Sequence, residues 1–490
     1  MNQNRKAGVL MHISTLPGNY SIGGFGEESK KFVDFLAEGG FQIWQVLPFC
    51  LPDGCHSPYS SYSSFSINPW FISLPSLYEE GLLTNEELQA AEQHVPYTCE
   101  FKRLEEDRFE LLKKAASRVS DRKAILDFLA ENPRIDTFCR FMAAKYKNGM
   151  RSWREWESSD YDEELYFVWG FTQYTGIRQW LEVKAYANQK GIEIIGDIPI
   201  YVAYDSADVW ANPDLFELDE DLRQLTAAGC PPDFFSEDGQ YWGNPIYNWK
   251  KMKQDGFAFW KERLSHMFRL FDGVRLDHFR GFSSYWSIPA TAKTAKEGQW
   301  KKGPGRAFVD EMKKLADGRL IIAEDLGEPT PDVEKLLKYS GLPGMRVYQF
   351  GFGGDPASPH LPHNYVPNCV AYTGTHDNDT MLGYVWRVDE SERRRVAVYA
   401  GEENGNRDSI SQGAIRALYA SVADRVIFPI QDLMGFGNDT RLNTPGVAKG
   451  NWGFRITQEQ LDALDAAKFM EYAKVFGRYK EEKEEGEEEK

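Results

Sequence analysis

The 490-residue sequence is poor in the residues and spacings that build metal and disulfide sites. Its six cysteines are scattered without a C-x-x-C pair, and none of its eight histidines occurs in the H-E-x-x-H spacing of zinc enzymes. Cysteines dispersed in this way over a long chain are typical of reduced thiols. We therefore expect no metal ion, no other cofactor and no disulfide framework.

The chain also lacks long apolar runs and any excess of basic residues. Nowhere do about 18 apolar residues follow one another, and the first residues show no secretory apolar segment. The 57 Lys and Arg against 74 Asp and Glu give a formal net charge of −17, which repels phosphate backbones and anionic lipid surfaces. These features predict a cytoplasmic protein that binds neither nucleic acid nor membranes, and they favour a neutral substrate.

Aromatic residues are abundant, because 31 Phe, 24 Tyr and 14 Trp make up 14% of the chain. Part of this aromatic content must belong to the core. Exposed Trp and Tyr, however, match the flat apolar faces of sugar rings while their polar tips stay in water. The composition is therefore compatible with carbohydrate binding.

Eight apolar runs, each ending in Gly, Pro or a polar cluster, are predicted to be strands. They cover 7–15, 41–49, 191–203, 271–279, 319–327, 344–352, 369–377 and 424–432. Most are continuously apolar, which is typical of parallel strands buried on both faces, and amphipathic helix patterns lie between them. The alternation predicts an α/β fold, a (β/α)8 TIM barrel over 1–480, with an open doubly wound sheet as the alternative.

Uneven spacing of the runs predicts two insertions. About 140 residues separate the second run from the third, and their helix-rich pattern predicts an inserted helical subdomain over 51–185. The segment 204–255, which is loop-like and rich in Pro, Gly and aromatics, is interpreted as an inserted substrate-binding loop region. Residues 480–490 contain seven Glu and three Lys, and we expect an acidic, disordered tail there.

Charged residues stand at the carboxyl ends of four of the predicted strands. They are Asp197, Arg275, Asp277, Glu324, His376 and Asp377. Strand residues two apart point the same way, and barrel active sites lie at these strand ends. Because a buried unpaired carboxylate is costly, four acids at one rim indicate catalysis, with a salt-bridge network around Arg275 as the alternative. Asp325 should face outward and serve a loop.

Paired carboxylates next to a neutral, hydroxyl-rich substrate are typical of glycosidic bond cleavage. Asp277 lies beside Arg275, whose charge should keep it ionised, so it is the candidate nucleophile. Glu324 follows the apolar stretch LIIA, and apolar surroundings raise a carboxyl pKa as a general acid requires. Asp377 would bind sugar hydroxyls, with His376 as a hydrogen-bond donor.

Several longer motifs give the sequence a family resemblance over nearly its whole length. They are STLPG, SPYSSYSSFSINP, GDIPIYVAYDSADVW, PPDFFSEDGQYWGNPIYNW, GVRLDHFRGF, AEDLG, TGTHDNDT, RLNTPG and GNWGFR. As a set they resemble the bacterial 4-α-glucanotransferases, also called amylomaltases or disproportionating enzymes, of the α-amylase clan. The resemblance implies the same three catalytic residues, Asp277, Glu324 and Asp377.

The resemblance also implies a set of substrate-binding residues and an activity. The implied binding residues are Tyr59, Asp197, Phe234, Phe235, Trp242, Asn244, Arg275, His278 and His376. The implied activity is retaining cleavage of an α-1,4-glucan, such as a maltooligosaccharide, amylose or starch, and transfer of the glucosyl segment to the 4-hydroxyl of an acceptor through a covalent glycosyl-enzyme. The alternatives are an α-amylase-like retaining hydrolase with the same acids and an inactive glucan-binding protein.

Overall fold

A computed structural model describes residues 5–232, 237–327, 330–447 and 449–479, so the expected disordered tail at 480–490 lies outside the described residues. The strands, in chain order, are β1 (Lys6–Leu10), β2 (Ile43–Gln45), β3 (Glu193–Ile198), β4 (Thr226–Cys230), β5 (Gln240–Pro245), β6 (Gly273–Leu276), β7 (Ser284–Pro289), β8 (Gln299–Lys302), β9 (Leu320–Ala323), β10 (Gly344–Val347), β11 (Cys369–Tyr372) and β12 (Arg425–Pro429).

Eight of these strands close a parallel barrel in the order β1, β2, β3, β6, β9, β10, β11 and β12. Each of the eight predicted runs overlaps one barrel strand, and the strands are almost entirely buried, as strands covered on both faces must be. The predicted (β/α)8 barrel is confirmed, and the alternative of an open sheet is wrong because β1 pairs with β12.

Helices surround the barrel and fill the interval between β2 and β3. They are α1 (Glu27–Glu38), α2 (Leu74–Glu79), α3 (Asn85–Ala90), α4 (Phe101–Arg103), α5 (Phe109–Ser117), α6 (Arg122–Glu131), α7 (Pro133–Lys147), α8 (Glu163–Gln189), α9 (Ala207–Ala211), α10 (Trp249–Gln254), α11 (Ala258–Leu270), α12 (Arg306–Ala316), α13 (Pro331–Ser340), α14 (Met381–Arg387), α15 (Glu390–Ala400), α16 (Arg407–Ala420), α17 (Ile430–Leu433), α18 (Gln458–Asp462) and α19 (Ala466–Val475). None of the described helices is both long and apolar enough to cross a bilayer.

Helix α8, with 27 residues, packs on the inserted helices with one half and on the barrel with the other. Near its start, the Trp169 ring lies 4.6 Å from Phe109 and 5.6 Å from Phe138, which belong to α5 and α7. Near its end, Trp180 is fully buried, and its ring lies 4.6 Å from Phe49 in the segment after β2. One continuous helix therefore joins the two parts of the core.

A second, four-stranded antiparallel sheet stands beside the barrel in the order β5, β4, β7 and β8. Its strands β4 and β5 come from the segment 204–255, and β7 and β8 from the segment that follows β6. The sheet places β5 at an edge, where Gln240 and Trp242 reach the carboxyl ends of the barrel strands. This position makes β5 one wall of the candidate site.

Arg478 links β1 to the chain segment that precedes β12. Its buried guanidinium donates to five backbone carbonyls, those of Lys6, Leu418, Tyr419, Ser421 and Ala423. Replacing it by alanine removes all five of these charge-assisted hydrogen bonds, although Arg5 and Ser421 still donate to three of the carbonyls, those of Leu418, Tyr419 and Ser421. A hydrogen bond to a charged group contributes about 1.5–3 kcal/mol.

We therefore expect Arg478→Ala to lower the free energy of unfolding by about 3 kcal/mol or more. Denaturant unfolding followed by tryptophan fluorescence measures the change. Arg394→Ala is the matched control, since that side chain is 60% exposed, and its effect should stay within about 0.5 kcal/mol. Equal midpoints for the two variants would contradict the proposed role of Arg478.

Candidate active site

A cleft of about 890 Å³ opens at the carboxyl ends of the barrel strands. Nine of the predicted site residues line it: Tyr59, Trp242, Asn244, Arg275, Asp277, His278, Glu324, His376 and Asp377. Asp197 lies directly behind this wall, whereas Phe234 and Phe235 fall outside the described residues. The fold thus collects the three predicted catalytic acids, from separate strands, into one cavity.

Arg275 organises the charge at the base of the cleft. Strands β3 and β6 pair with Asp197 opposite Arg275, and the Arg275 Nη1 atom donates to both Asp197 carboxylate oxygens at 2.9 and 2.8 Å. Its Nη2 atom lies 2.9 Å from Asp277 Oδ1. Burial alone would lower the pKa of the Arg275 guanidinium, but these two carboxylates raise it well above its ordinary value. The predicted ion network exists, and it forms part of the cleft.

Asp197 reaches the cleft only through its partners. Its side chain has no exposed surface, and the Tyr59 hydroxyl donates to its Oδ2 atom at 2.6 Å. Because both Arg275 and Tyr59 line the cleft, the buried carboxylate fixes one cation and one aromatic ring at the same time. The Tyr59 ring in turn stacks on His376 at 5.0 Å with an interplanar angle of 16°.

The ionisation of Asp277 differs from what Arg275 alone would give. Burial, together with the charges of Glu324 and Asp197, raises the pKa of Asp277 to about 7 against the opposing effect of Arg275. The side chain keeps 27% of its surface exposed, so a sugar can reach it. The sequence predicted that Arg275 keeps Asp277 ionised, but the loss of water around the carboxyl has a larger effect on its pKa than the ion pair.

Glu324 follows β9 directly, and the loop after β6 meets it there. Its Oε2 atom accepts the His278 backbone N–H at 2.7 Å and its Oε1 atom accepts the Leu326 N–H at 2.8 Å. The carboxyl therefore accepts two backbone hydrogen bonds, so its surroundings are more polar than the apolar strand before it suggests. Since His278 follows Asp277 in the chain, this bond holds the two candidate catalytic groups in one assembly.

Asp325 serves the barrel wall instead of the cleft. Its Oδ1 atom accepts the Met345 N–H at 2.7 Å, and its Oδ2 atom lies 3.1 Å from Arg346 Nη1, both on β10. Asp325 points away from the cleft, as predicted for the neighbour of Glu324, but it binds strand β10 and not the predicted loop. Asp325 is consequently a natural control for experiments on Glu324.

His278 adopts a strained backbone conformation next to the candidate nucleophile. Its φ of 50° and ψ of 50° lie in the left-handed region, which is uncommon outside glycine and is concentrated at functional sites. The strained turn aims its N–H at Glu324 and its ring edge-to-face at Trp242, at 5.0 Å. Burial and the nearby Arg280 lower the pKa of His278 to about 3, so the ring is neutral.

Asp377 is held by groups from two loops. His376 Nε2 lies 3.3 Å from its Oδ2 atom, and the Asn443 amide donates to its Oδ1 atom at 2.6 Å. Burial would raise the pKa of Asp377, but His376, Asn443 and Arg275 lower it to about 2. Asp377 is therefore ionised throughout the neutral range, unlike Asp277.

Two predicted residues lie on the β5 wall. Trp242 is 37% exposed and donates through its indole to Gln240 at 3.1 Å. Asn244 donates to the Val202 carbonyl at 2.9 Å, which attaches β5 to the loop after β3. A partly exposed indole on the rim of a polar cleft suits the apolar face of a sugar ring.

The individual sequence arguments did not single out several residues that line the cleft. They include Gln240, Asn378, Asn443, Asn451 and Trp452. Three of them, Asn443, Asn451 and Trp452, belong to the motifs RLNTPG and GNWGFR, so the motifs could have identified them. The segment after β12 contains no predicted strand end, however, and the strand pattern therefore could not place these residues at the cleft. Trp452 has a φ of 66°, a further non-glycine residue in the left-handed region at this cleft.

The chain is similar to known proteins over nearly its whole length. A family model described as 4-alpha-glucanotransferase matches residues 11–461. The 4-alpha-glucanotransferase of Clostridium butyricum is 40% identical over 493 residues, covering 96% of this chain and 100% of its own, and that of Synechocystis is 40% identical over 98% of this chain and 99% of its own.

Among solved structures, the amylomaltase from Streptococcus agalactiae in complex with acarbose matches with a TM-score of 0.93 and 37% identity. The match covers 97% of this chain and 100% of that one. The sequence and structure comparisons thus cover almost the entire polypeptide. This chain belongs to the 4-alpha-glucanotransferases, the enzymes that transfer segments of α-1,4-glucans.

Proposed function

We propose that the enzyme transfers glucan segments by a retaining, two-step displacement in which Asp277 is the nucleophile, Glu324 the acid and base, and Asp377 the stabilising carboxylate. The supporting observation is the meeting of all three carboxyls in one cleft, two of them on neighbouring strands β6 and β9. The mechanism requires a carboxyl separation of roughly 5–5.5 Å between Asp277 and Glu324.

In the first step, the Asp277 carboxylate attacks the anomeric carbon while Glu324 protonates the departing glycosidic oxygen. Arg275 steadies the attacking carboxylate through its Nη2 atom. Asp377, ionised by its partners, binds sugar hydroxyls at the distorted ring. In the second step, Glu324 removes the proton from an incoming 4-hydroxyl, and the covalent bond to Asp277 is replaced by a new glycosidic bond.

Transfer instead of hydrolysis requires that an acceptor sugar reach the intermediate before water does. The β5 wall supplies a partly exposed indole, Trp242, beside His278. We propose that the acceptor sugar stacks on this indole and that the polar side chains around it hold its hydroxyls. This arrangement disfavours the two alternatives. A hydrolase needs no binding surface for an acceptor sugar, and an inactive glucan-binding protein needs no intact set of catalytic acids.

The proposed substrates are maltooligosaccharides, amylose and starch-type glucans. The structure of the Streptococcus agalactiae amylomaltase is a complex with acarbose, which supports a sugar-binding role for the present chain. The net charge of −17 fits neutral glucans better than nucleic acid or membranes. Cysteines without paired spacing fit a reducing compartment, and we propose a cytoplasmic location.

Incubation with maltotriose tests the proposed function. A transferase yields glucose together with maltopentaose and longer products, while the number of reducing ends stays constant. Chromatography of the products and a reducing-end assay on the same samples distinguish the outcomes. A rise in reducing ends without longer products would show a hydrolase, and unchanged maltotriose would show a binding protein.

The pKa of Asp277 predicts an acid limit to activity near neutrality. Because the nucleophile acts as a carboxylate and burial raises its pKa to about 7, protonation removes the active form as the pH falls. We expect kcat/KM for maltotriose to decrease about tenfold per pH unit below about pH 7. A pH profile of kcat/KM measures it, and an acid limb near pH 4 would show that Arg275 dominates the ionisation.

A further inference from the structure

Arg441 connects the loop of Asp377 to the segment that follows β12. Its Nε atom donates to the Asn443 carbonyl at 2.7 Å, and its Nη1 atom donates to Asp379 Oδ1 at 2.6 Å. Its Nη2 atom donates to the backbone carbonyl of Asp377 itself. One planar guanidinium therefore binds three acceptors, two of which belong to the loop that carries the stabilising carboxylate.

Arg441 also contacts the Asp377 side chain indirectly, through Asn443. The Asn443 amide donates to Asp377 Oδ1 at 2.6 Å, and the backbone of Asn443 is what Arg441 holds. Arg441 thus fixes both ends of this contact, the main chain of the aspartate and the main chain of the asparagine. It does not line the catalytic cleft, whereas Asn443 and Asp377 do.

The charges around Arg441 argue for a rigid structural link. Asp379 is 7% exposed and Arg441 is 20% exposed, so the pair is largely shielded from water, and a fork of several hydrogen bonds is the geometry that guanidinium favours. Arg387 binds the same Asp379 carboxylate from the solvent side and is 63% exposed. Two arginines therefore share one carboxylate, but Arg441 also binds the backbone carbonyls of Asp377 and Asn443.

We propose that Arg441 is a positioning residue for the transfer reaction, which sets the orientation of the Asp377 carboxylate through the Asp377 backbone and through Asn443. The inference rests on the proposed role of Asp377. Since the hydrogen bonds that sugar hydroxyls donate to this carboxylate strengthen in the transition state, loss of orientation should reduce kcat more than it raises KM. A displacement of about 1 Å can cost about 10²-fold in rate.

The test compares Arg441→Met, Arg441→Lys and the matched control Arg387→Met in maltotriose disproportionation. We expect Arg441→Met to lower kcat about 10²-fold with KM changed only a few-fold. Arg441→Lys keeps the charge but lacks the planar fork whose spread-out donors reach three separate acceptors, so it should also lose most of the rate. Arg387→Met should retain wild-type kcat, because its partner carboxylate remains bound by Arg441.

A second measurement separates positioning from folding. Arg441→Ala should regain part of its kcat when guanidinium ion is added at concentrations that leave the thermal midpoint unchanged, since the ion can occupy the vacated fork. Wild-type kcat in Arg441→Lys, or equal losses in the Arg441→Met and Arg387→Met variants, would overturn the inference. Failure of the wild type to transfer would instead overturn the proposed function on which it rests.

Discussion

Replacing Asp277 by asparagine is expected to reduce transfer from maltotriose by between about 10⁴- and 10⁶-fold. Asparagine preserves the shape of the side chain but cannot attack the anomeric carbon, so no glycosyl-enzyme forms. The amide can still accept a hydrogen bond from Arg275, which lies 2.9 Å from the present carboxylate, and the fold should survive. Initial rates of glucose release, with circular dichroism as the folding control, measure the effect.

The role of Asp277 as the nucleophile can be separated from a merely electrostatic one. In Asp277→Ala, azide can enter the space left by the carboxyl and displace fluoride from an α-maltosyl fluoride donor. We expect a β-maltosyl azide, because the azide attacks from the face that the carboxylate occupied. A product of α configuration, or a rate in Asp277→Asn within about tenfold of wild type, would contradict the assignment.

Replacing Glu324 by glutamine is expected to lower kcat with maltotriose by about 10²- to 10⁴-fold. The amide cannot protonate the departing sugar or accept a proton from the incoming hydroxyl. With α-maltosyl fluoride, however, the leaving group needs no proton, so the first step should proceed and a covalent adduct on Asp277 should accumulate. Mass spectrometry of the intact protein detects that adduct.

Asp325→Asn provides the control for Glu324, because the two carboxyls are neighbours in the chain and point in opposite directions. Asp325 binds Met345 and Arg346 on β10, so its replacement should reduce stability and leave the ratio of fluoride to maltotriose turnover unchanged. If the two variants showed the same dependence on the leaving group, Glu324 would not be the general acid.

The barrel could be predicted because its strands are continuous apolar runs, a pattern that burial on both faces imposes. The antiparallel sheet could not be predicted in the same way. Strand β5 has the sequence QYWGNP, in which Gly and Pro disfavour a strand, and it forms at a sheet edge where such residues are tolerated. Its sheet also depends on β7 and β8, which begin 39 and 54 residues after β5 ends.

The same distinction applies to the candidate site: residues next to barrel strands could be predicted from the sequence, and residues in irregular segments could not. Asp277 and Glu324 follow barrel strands directly, so the strand pattern places them at the rim, and Asp377 follows β11 closely. Asn443 and Arg441 lie in an irregular segment after β12, whose path no periodicity describes. The raised pKa of Asp277 likewise depends on burial, and the neighbouring Arg275 in the sequence suggested the opposite direction.

Helix α8 has a consequence for protein engineering. Trp169 and Trp180 lie 11 positions apart on one continuous helix, about 16 Å along its axis, and each is embedded in a different aromatic cluster. A shortened enzyme without α2–α7 would therefore expose Trp169 to solvent. Helix α8 itself could not be removed, because its second half packs on the barrel. Miniaturisation of this scaffold would have to redesign the exposed half of α8.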